Sequence, residues 1–271
     1  MIKLLKAGLF RLKKDTIFWL FIFLTIGIAG FTLFRYNSID GINLDKVINE
    51  FIMYIGLFIA IFVSIFVGKE HSQGIIRNKV IVGHSRISIF LSNLFISIMV
   101  SLLCEIIYII LVILIGIPLF GQVQMSASQF AMTILNTGLI IISFCSIFNF
   151  ITMICSEITI STIICIILFI AMYIMQGVFG LTAHSNKYIE HALYDENGNK
   201  HIISQELDPN YPGDRKVKNA KIIYLFIPQG QAMEISSNNF ESLQQMPVYS
   251  ISLIGIINIF GLYIFSKKEL K

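Results

Sequence analysis

Residues Ile87–Leu119 read ISIFLSNLFISIMVSLLCEIIYIILVILIGIPL, with Glu105 as the single charged side chain among them. A bilayer core about 30 Å thick is crossed by about 20 apolar residues in an α-helix, so this run is long enough to span one with length to spare. In hydrocarbon every peptide N–H and C=O must be paired inside its own segment, which leaves the helix as the form this stretch can take there. Five further runs of the same character flank it: Thr16–Phe34, Phe51–Val67, Gln129–Ile154, Ile158–Gly180 and Val248–Phe265. The expectation is an all-α membrane protein with six transmembrane helices.

Composition agrees with that class. Of 271 residues, 56% are hydrophobic and 13% are charged. Soluble domains carry about 25% charged residues, so an ordinary cytosolic enzyme is excluded. The net charge of +4 comes from the flanks of the apolar runs. No basic stripe interleaved with stacking aromatics is present, and no nucleic-acid partner is expected. Cys104, Cys145, Cys155 and Cys165 fall within or beside the runs and form no C-x-x-C pair. They read as inert buried thiols, with neither a disulfide framework nor a zinc site. The apolar stretch from Thr16 is too long for a signal peptide and lacks a small-residue cleavage motif, so it reads as a retained first span.

Lys and Arg fix the expected orientation. Lys3, Lys6, Arg11, Lys13 and Lys14 precede the first run, Lys69, Arg77, Lys79 and Arg86 join the second to the third, and Lys267, Lys268 and Lys271 follow the last. The short connections at the other ends hold only Arg35 and Lys46. The positive-inside bias therefore places both termini in the cytoplasm, which agrees with an even number of spans. Within residues 1–15, Ile2, Leu4, Leu5, Gly8, Leu9 and Leu12 share one half of a helical wheel and the basic residues share the other. Such a helix lies in the membrane interface, with its apolar face down.

Residues 181–247 are too polar to enter a membrane and too few for a large domain. Tyr188–Tyr194 and Lys200–Ser204 flank Asp195-Glu196-Asn197-Gly198-Asn199, a pattern that predicts a β-hairpin. Residues 209–214 form a second turn cluster, Ile222–Ile227 is apolar, and a short helix is expected over Gln229–Ser236. His184, His191 and His201 are read as solvated loop histidines and not as metal ligands. A small α/β insertion between the fifth and sixth helices is thus expected, on the extracellular side.

Gly68–Arg86 carries the functional expectation. Gly74 and Gly83 bracket Ile75–Val82, which mixes apolar and basic residues, and glycine suits the chain reversals at both ends because it tolerates positive φ. A short helix lying across the inner membrane face is predicted there. Ile75, Ile76, Val80 and Ile81 offer apolar surface, and Arg77 and Lys79 offer charge.

Glu70, Gly74, Ile76, Arg77, Asn78, Lys79, Gly83, Ser85 and Arg86 together resemble the cytoplasmic segment of type-2 ATP-binding-cassette (ABC) transporter permeases. The basic N-terminal helix, the six spans and the extended segment before the last one are similar as well. Ile227-Pro228-Gln229-Gly230-Gln231-Ala232-Met233-Glu234 resembles the stretch before the final span in small bacterial members. The resemblance implies a permease in the bacterial plasma membrane, energised by a separate cytoplasmic ATPase subunit that binds ATP and magnesium. It implies that Ile75–Val82, within 69–86, is a coupling helix and that residues 1–15 are an elbow helix. Glu70 would brace the turn between the second span and that helix. Arg77, Lys79 and Arg86 would meet acidic groups of the ATPase or lipid phosphates. Glu157, in the tight turn Cys155-Ser156-Glu157, would make a second, smaller contact. Two permease chains, identical or related, would face each other, exporting an amphipathic or antimicrobial peptide. Drugs, lipid-linked antibiotics and ions remain alternative cargoes.

The residues themselves agree on three points. The chain has no G-x-x-x-x-G-K-[ST] loop, so it carries no phosphate cradle and no cofactor of its own is expected. An intramembrane enzyme would need paired catalytic groups inside the spans, and neither a His nor an Asp pair lies there. A secondary transporter or channel subunit would show several intramembrane charges and broken helices. Here Glu105 and the Gly116-Ile117-Pro118 step are the only such features. Glu105 is expensive at the bilayer centre, so it should face a transport path, a permease–permease interface or a neighbouring helix.

Overall fold

Asp15 separates the first two helices. Its backbone is extended (φ −83°, ψ 122°) and its carboxylate accepts the Ile17 N–H at 3.1 Å, so α1 (Ile2–Lys14) ends and α2 (Thr16–Asn37) begins within one residue. The computed structural model describes residues 1–39, 41–155, 157–194 and 200–268, with backbone alone for 190–194 and 200–203. The chain continues through α3 (Leu44–Ile48), α4 (Ile52–Ser72), α5 (Ile75–Ile81), α6 (Arg86–Phe120), α7 (Ala127–Ile154) and α8 (Ile158–Ala183). A hairpin of β1 (Tyr188–Tyr194) and β2 (Lys200–Leu207) follows. Then come α9 (Asp214–Phe226), α10 (Pro228–Ser236) and α11 (Met246–Lys267).

Among the described residues, six helices are long and apolar enough to cross a membrane: α2, the α3–α4 unit, α6, α7, α8 and α11. The protein is thus membrane-helical and multi-pass in character. α4 and α7 form the centre, with 67% of their most apolar stretch covered by protein, against 22% for α8 and α11. Aromatic rings fill that centre. Phe51 stacks on Tyr108 at 4.7 Å, Phe62 stacks on Phe66 at 5.4 Å, and Phe144 lies parallel to Phe148 at 5.9 Å.

Side chains define the two ends of the bundle. At the basic end, Arg11 of α1 meets α4, Arg86 of α6 donates to the last carbonyls of α11, and Lys268 donates to Met153 O of α7. At the opposite end, Asn49 donates to Asn238, Asn136 of α7 to Leu243 O, and Gln229 of α10 to Met53 O. Glu50 accepts Arg35, Tyr36 and Tyr54 there.

Several sequence expectations shift. The Gly116-Ile117-Pro118 step does not break α6, which runs to Phe120 with Pro118 in its last turn. There the missing N–H removes a single bond at the fraying end. α4 continues past the apolar run to Ser72, so His71 lies on its last turn. The hairpin forms antiparallel, with a register irregularity at His191/Ala192, while its Asp195–Asn199 turn lies outside the described residues. The segment after it is not simply a polar excursion. α10 is buried along nearly its whole length, wedged among α4, α7, α8 and α9.

Candidate functional site

Glu70 joins four helices at the basic end. Its side chain is 1% exposed. Oε1 receives Arg11 Nη1 of α1 at 2.7 Å and Lys79 Nζ of α5 at 2.6 Å, while Oε2 accepts Asn93 Nδ2 of α6 at 2.8 Å. Arg11 also donates to Phe66 O at 3.2 Å and lies 4.1 Å over the Phe66 ring. A buried carboxylate is tolerable only with charge and hydrogen-bond partners, and this one has both. Beside it, Lys69 closes on Asp15 at 3.0 Å, tying α4 to the α1–α2 corner.

α5 is held on one face and open on the other. Gly74 (φ +66°) and Gly83 (φ +94°) bracket it, in the left-handed backbone region where a β-carbon is strained. Inward, Ile76 is 1% exposed and Lys79 is spent on Glu70. Outward, Arg77 and Asn78 are exposed, with Ile81 72% and Val82 76% exposed beside them. The exposed face of α5 therefore differs from the sequence expectation. Ile76 packs into the core, Ile75 and Val80 are half-buried, and the free apolar pair is Ile81 and Val82.

Charge is redistributed as well. Arg86 Nη1 donates to Phe265 O at 3.2 Å and Ser266 O at 3.1 Å, and it also reaches Lys268 O. Arg86 and Lys79 thus serve this chain's own fold, which leaves Arg77 as the exposed cation of α5. Ser85 is the N-cap of α6, accepting the Ser88 N–H at 3.2 Å. Glu157 precedes α8, exposed and with no side-chain cap bond, while neighbouring Ser156 lies outside the described residues. Glu105 is buried in α6, 6% exposed, with Oε2 lacking a hydrogen-bond partner. It lies apart from the Glu70 group, three helical turns further along α6 than Asn93.

Neither the protein-family models nor the curated proteins include a match to this chain. What it does is therefore argued from its own geometry. Among the described residues, no group of three or more His, Cys, Asp or Glu is placed to hold a metal ion.

A second polar group at the opposite end has no clear sequence signal. His184, expected to be solvated, ends α8 and is engaged through both ring nitrogens. Nδ1 is 2.9 Å from Gly180 O and Nε2 is 2.6 Å from Glu234 Oε1 of α10. The Tyr224 ring meets its face edge-on at 5.3 Å. Burial pushes the Glu234 carboxyl up from its ordinary value, His184 and Lys221 draw it partly back, and Glu241 adds to the rise. These groups border a cavity of about 720 Å³ walled by Ile174, Val178 and Leu181 of α8 and Met233 of α10. No spacing in the chain links Glu234 to His184, and the polar composition of Pro228–Ser236 gives no sign that the pair is brought together.

The pH dependence has a definite sign. The folded state holds the Glu234 proton more tightly than the unfolded chain. Stability should therefore fall as pH rises from about 4.5, the ordinary carboxyl value, through the raised native one. Melting curves across that range should show wild type losing ground to Glu234→Gln as pH rises. Parallel curves would reject the assignment.

Proposed function

We propose that this chain is the membrane-spanning subunit of an ATP-driven exporter, energised by a separate nucleotide-binding subunit that docks on α5. The observation that carries this reading is the two-sided character of α5. Arg77, Asn78, Ile81 and Val82 face outward, while Lys79 and Ile76 root the same short helix in α1, α4 and α6 through Glu70. A rigidly anchored helix with an exposed basic and apolar face suits the transfer of a push from a soluble partner into the spans. On this reading the basic end is cytoplasmic, α1 is an elbow helix in the interface, and Glu157 is a minor second contact.

The cargo we propose is an amphipathic peptide, moved between two copies of this chain or between this chain and a related permease. Support comes from the long uncovered apolar wall of α8, where Ile163, Ile167, Ile170 and Ile174 are 49–60% exposed. Glu105 belongs on this reading to the transport path or the chain–chain interface.

The test is co-purification in nanodiscs with a candidate ABC ATPase subunit from the same organism, followed by ATPase stimulation by candidate peptides. Arg77→Glu reverses the free charge of α5 without touching the fold. It should weaken the complex roughly tenfold, as loss of a central interface arginine does. Full affinity and stimulation in that variant would overturn the docking assignment. Cargo movement by the isolated chain without nucleotide would overturn the whole reading.

A further inference from the structure

A second cavity, of about 630 Å³, opens between α1, α2 and α6. Its walls are apolar: Leu9 of α1, Phe18 and Ile22 of α2, and Met99 and Leu103 of α6. Lys13, at the α1 end, is the one charged residue lining it. Trp19, also in the wall, is 52% exposed and donates its indole N–H to Lys13 O at 3.0 Å. Indole rings with one end wet and one end dry settle at the level of lipid headgroups, which places Lys13 at that level too.

The surrounding charge is one-sided. The ammonium groups of Lys3, Lys6 and Lys13 have no hydrogen-bond or ion-pair partner among the described residues, and Lys14 rests over the Phe10 ring. Two acids meet this corner, and both are taken: Asp15 by Lys69 and the N-terminus of α2, Glu70 by Arg11, Lys79 and Asn93. A groove with an apolar body and a lone unpaired cation at its headgroup end matches an acyl chain joined to a negative headgroup. We propose that this groove binds an anionic phospholipid, with its phosphate on Lys13 and an acyl chain along α2 and α6.

The apolar walls alone give no selectivity, because lipid tails are as apolar as the side chains they touch. Selection of the headgroup therefore rests on Lys13. The site also bears on the Glu70 group, since Arg11 and Lys13 share the last turn of α1. Lipid on one and Glu70 on the other would pin the same turn. The proposal stands without the ATP-driven reading, and its test uses neither nucleotide nor partner subunit.

Trp19 is the only tryptophan in the chain, so its fluorescence reports on this groove alone. The purified full-length protein would be titrated with phosphatidylglycerol or phosphatidylcholine carrying brominated acyl chains, which quench indole on contact. Half-quenching should come at a roughly fivefold lower fraction of the anionic lipid, the preference one lysine confers near a charged surface. High salt should erode that preference. Lys13→Gln, a change at an exposed side chain, should abolish the preference while both lipids still quench. Lys3→Gln, on the same helix but away from the groove, should retain it. Equal quenching by the two lipids in wild type overturns the proposal. So does equal loss of preference in the two variants, which would mean diffuse surface charge. Absence of quenching by either lipid overturns it as well, since protein would then cover the groove.

Discussion

Glu70→Gln should destabilise the protein by about 3 kcal/mol, a large share of the stability of most domains. Among the described residues, the carboxylate is the only anion paired with Arg11 and Lys79, whose side chains are 26% and 14% exposed. Removing one partner of a buried pair costs about 3–5 kcal/mol, because the remaining charge stays in low dielectric without compensation. Partial exposure of the two cations puts this case at the lower end. Thermal melts of the purified protein in one detergent would measure the loss. A double variant is the sharper check. Adding Lys79→Gln should recover part of the loss, since one stranded cation is then gone, and the cycle isolates the coupling. If Glu70→Gln melts with the wild type, the carboxylate is not what holds these helices. Arg77→Glu serves as the contrast. It lies on the open face of α5 and should change stability by no more than about 0.5 kcal/mol, as surface changes away from such features do.

That contrast shows how far the sequence could be read. The spans were legible because each is a long apolar run, and hydrocarbon permits one conformation for such a run. α5 was legible from Gly74 and Gly83, and the structure puts both at positive φ. The division of its faces was not legible. Seven residues are too few for a helical period to show which side is buried, and the answer depends on Glu70, Arg11 and Asn93, which are spread over three other helices. Lys79 and Arg86 looked like free cations in the sequence, but each finds its acceptor in its own chain. The burial of α10 was hidden for a similar reason. Pro228–Ser236 holds two glutamines and a glutamate, so composition marks it as polar. Each of the three has a partner set by tertiary contact: Met53 O for Gln229, Leu225 O and Ser250 for Gln231, and His184 for Glu234.

Gly230→Ala tests that wedge. Helix propensity alone favours the change by about 1 kcal/mol, since alanine loses less backbone freedom than glycine in a helix. Packing opposes it. A β-carbon at residue 230 would lie 2.1 Å from Tyr224 O, 3.0 Å from the carbonyl carbon and 3.3 Å from the Tyr224 ring. The corner has little room to yield. Ile227 is extended (φ −82°, ψ 122°), as the residue before a proline prefers, and its carbonyl accepts the Gly230 N–H at 2.9 Å. Gln231 Nε2 grips Leu225 O at 2.6 Å across the same bend. The intruding atoms are backbone, so no rotamer change relieves the clash, and α10 must move out of its place among α4, α7 and α8. Overpacking of this kind costs about 1–3 kcal/mol, and a backbone obstacle puts it at the top of that range, well above the gain from propensity. Gly8→Ala is the matched control. Its β-carbon would meet only the Ile96 side chain, hard against the terminal methyl and in ordinary contact with Cγ1 at 3.5 Å, and rotation about the last side-chain bond moves that methyl away. The expected order in melting temperature is therefore Gly8→Ala near wild type and Gly230→Ala well below it. The Gly230 variant should also lose the pH response assigned to Glu234, because displacing α10 opens that carboxyl to water and burial is what raises it. A Gly230→Ala protein that melts at or above wild type would mean that propensity wins and that α10 is not wedged against α9 as described.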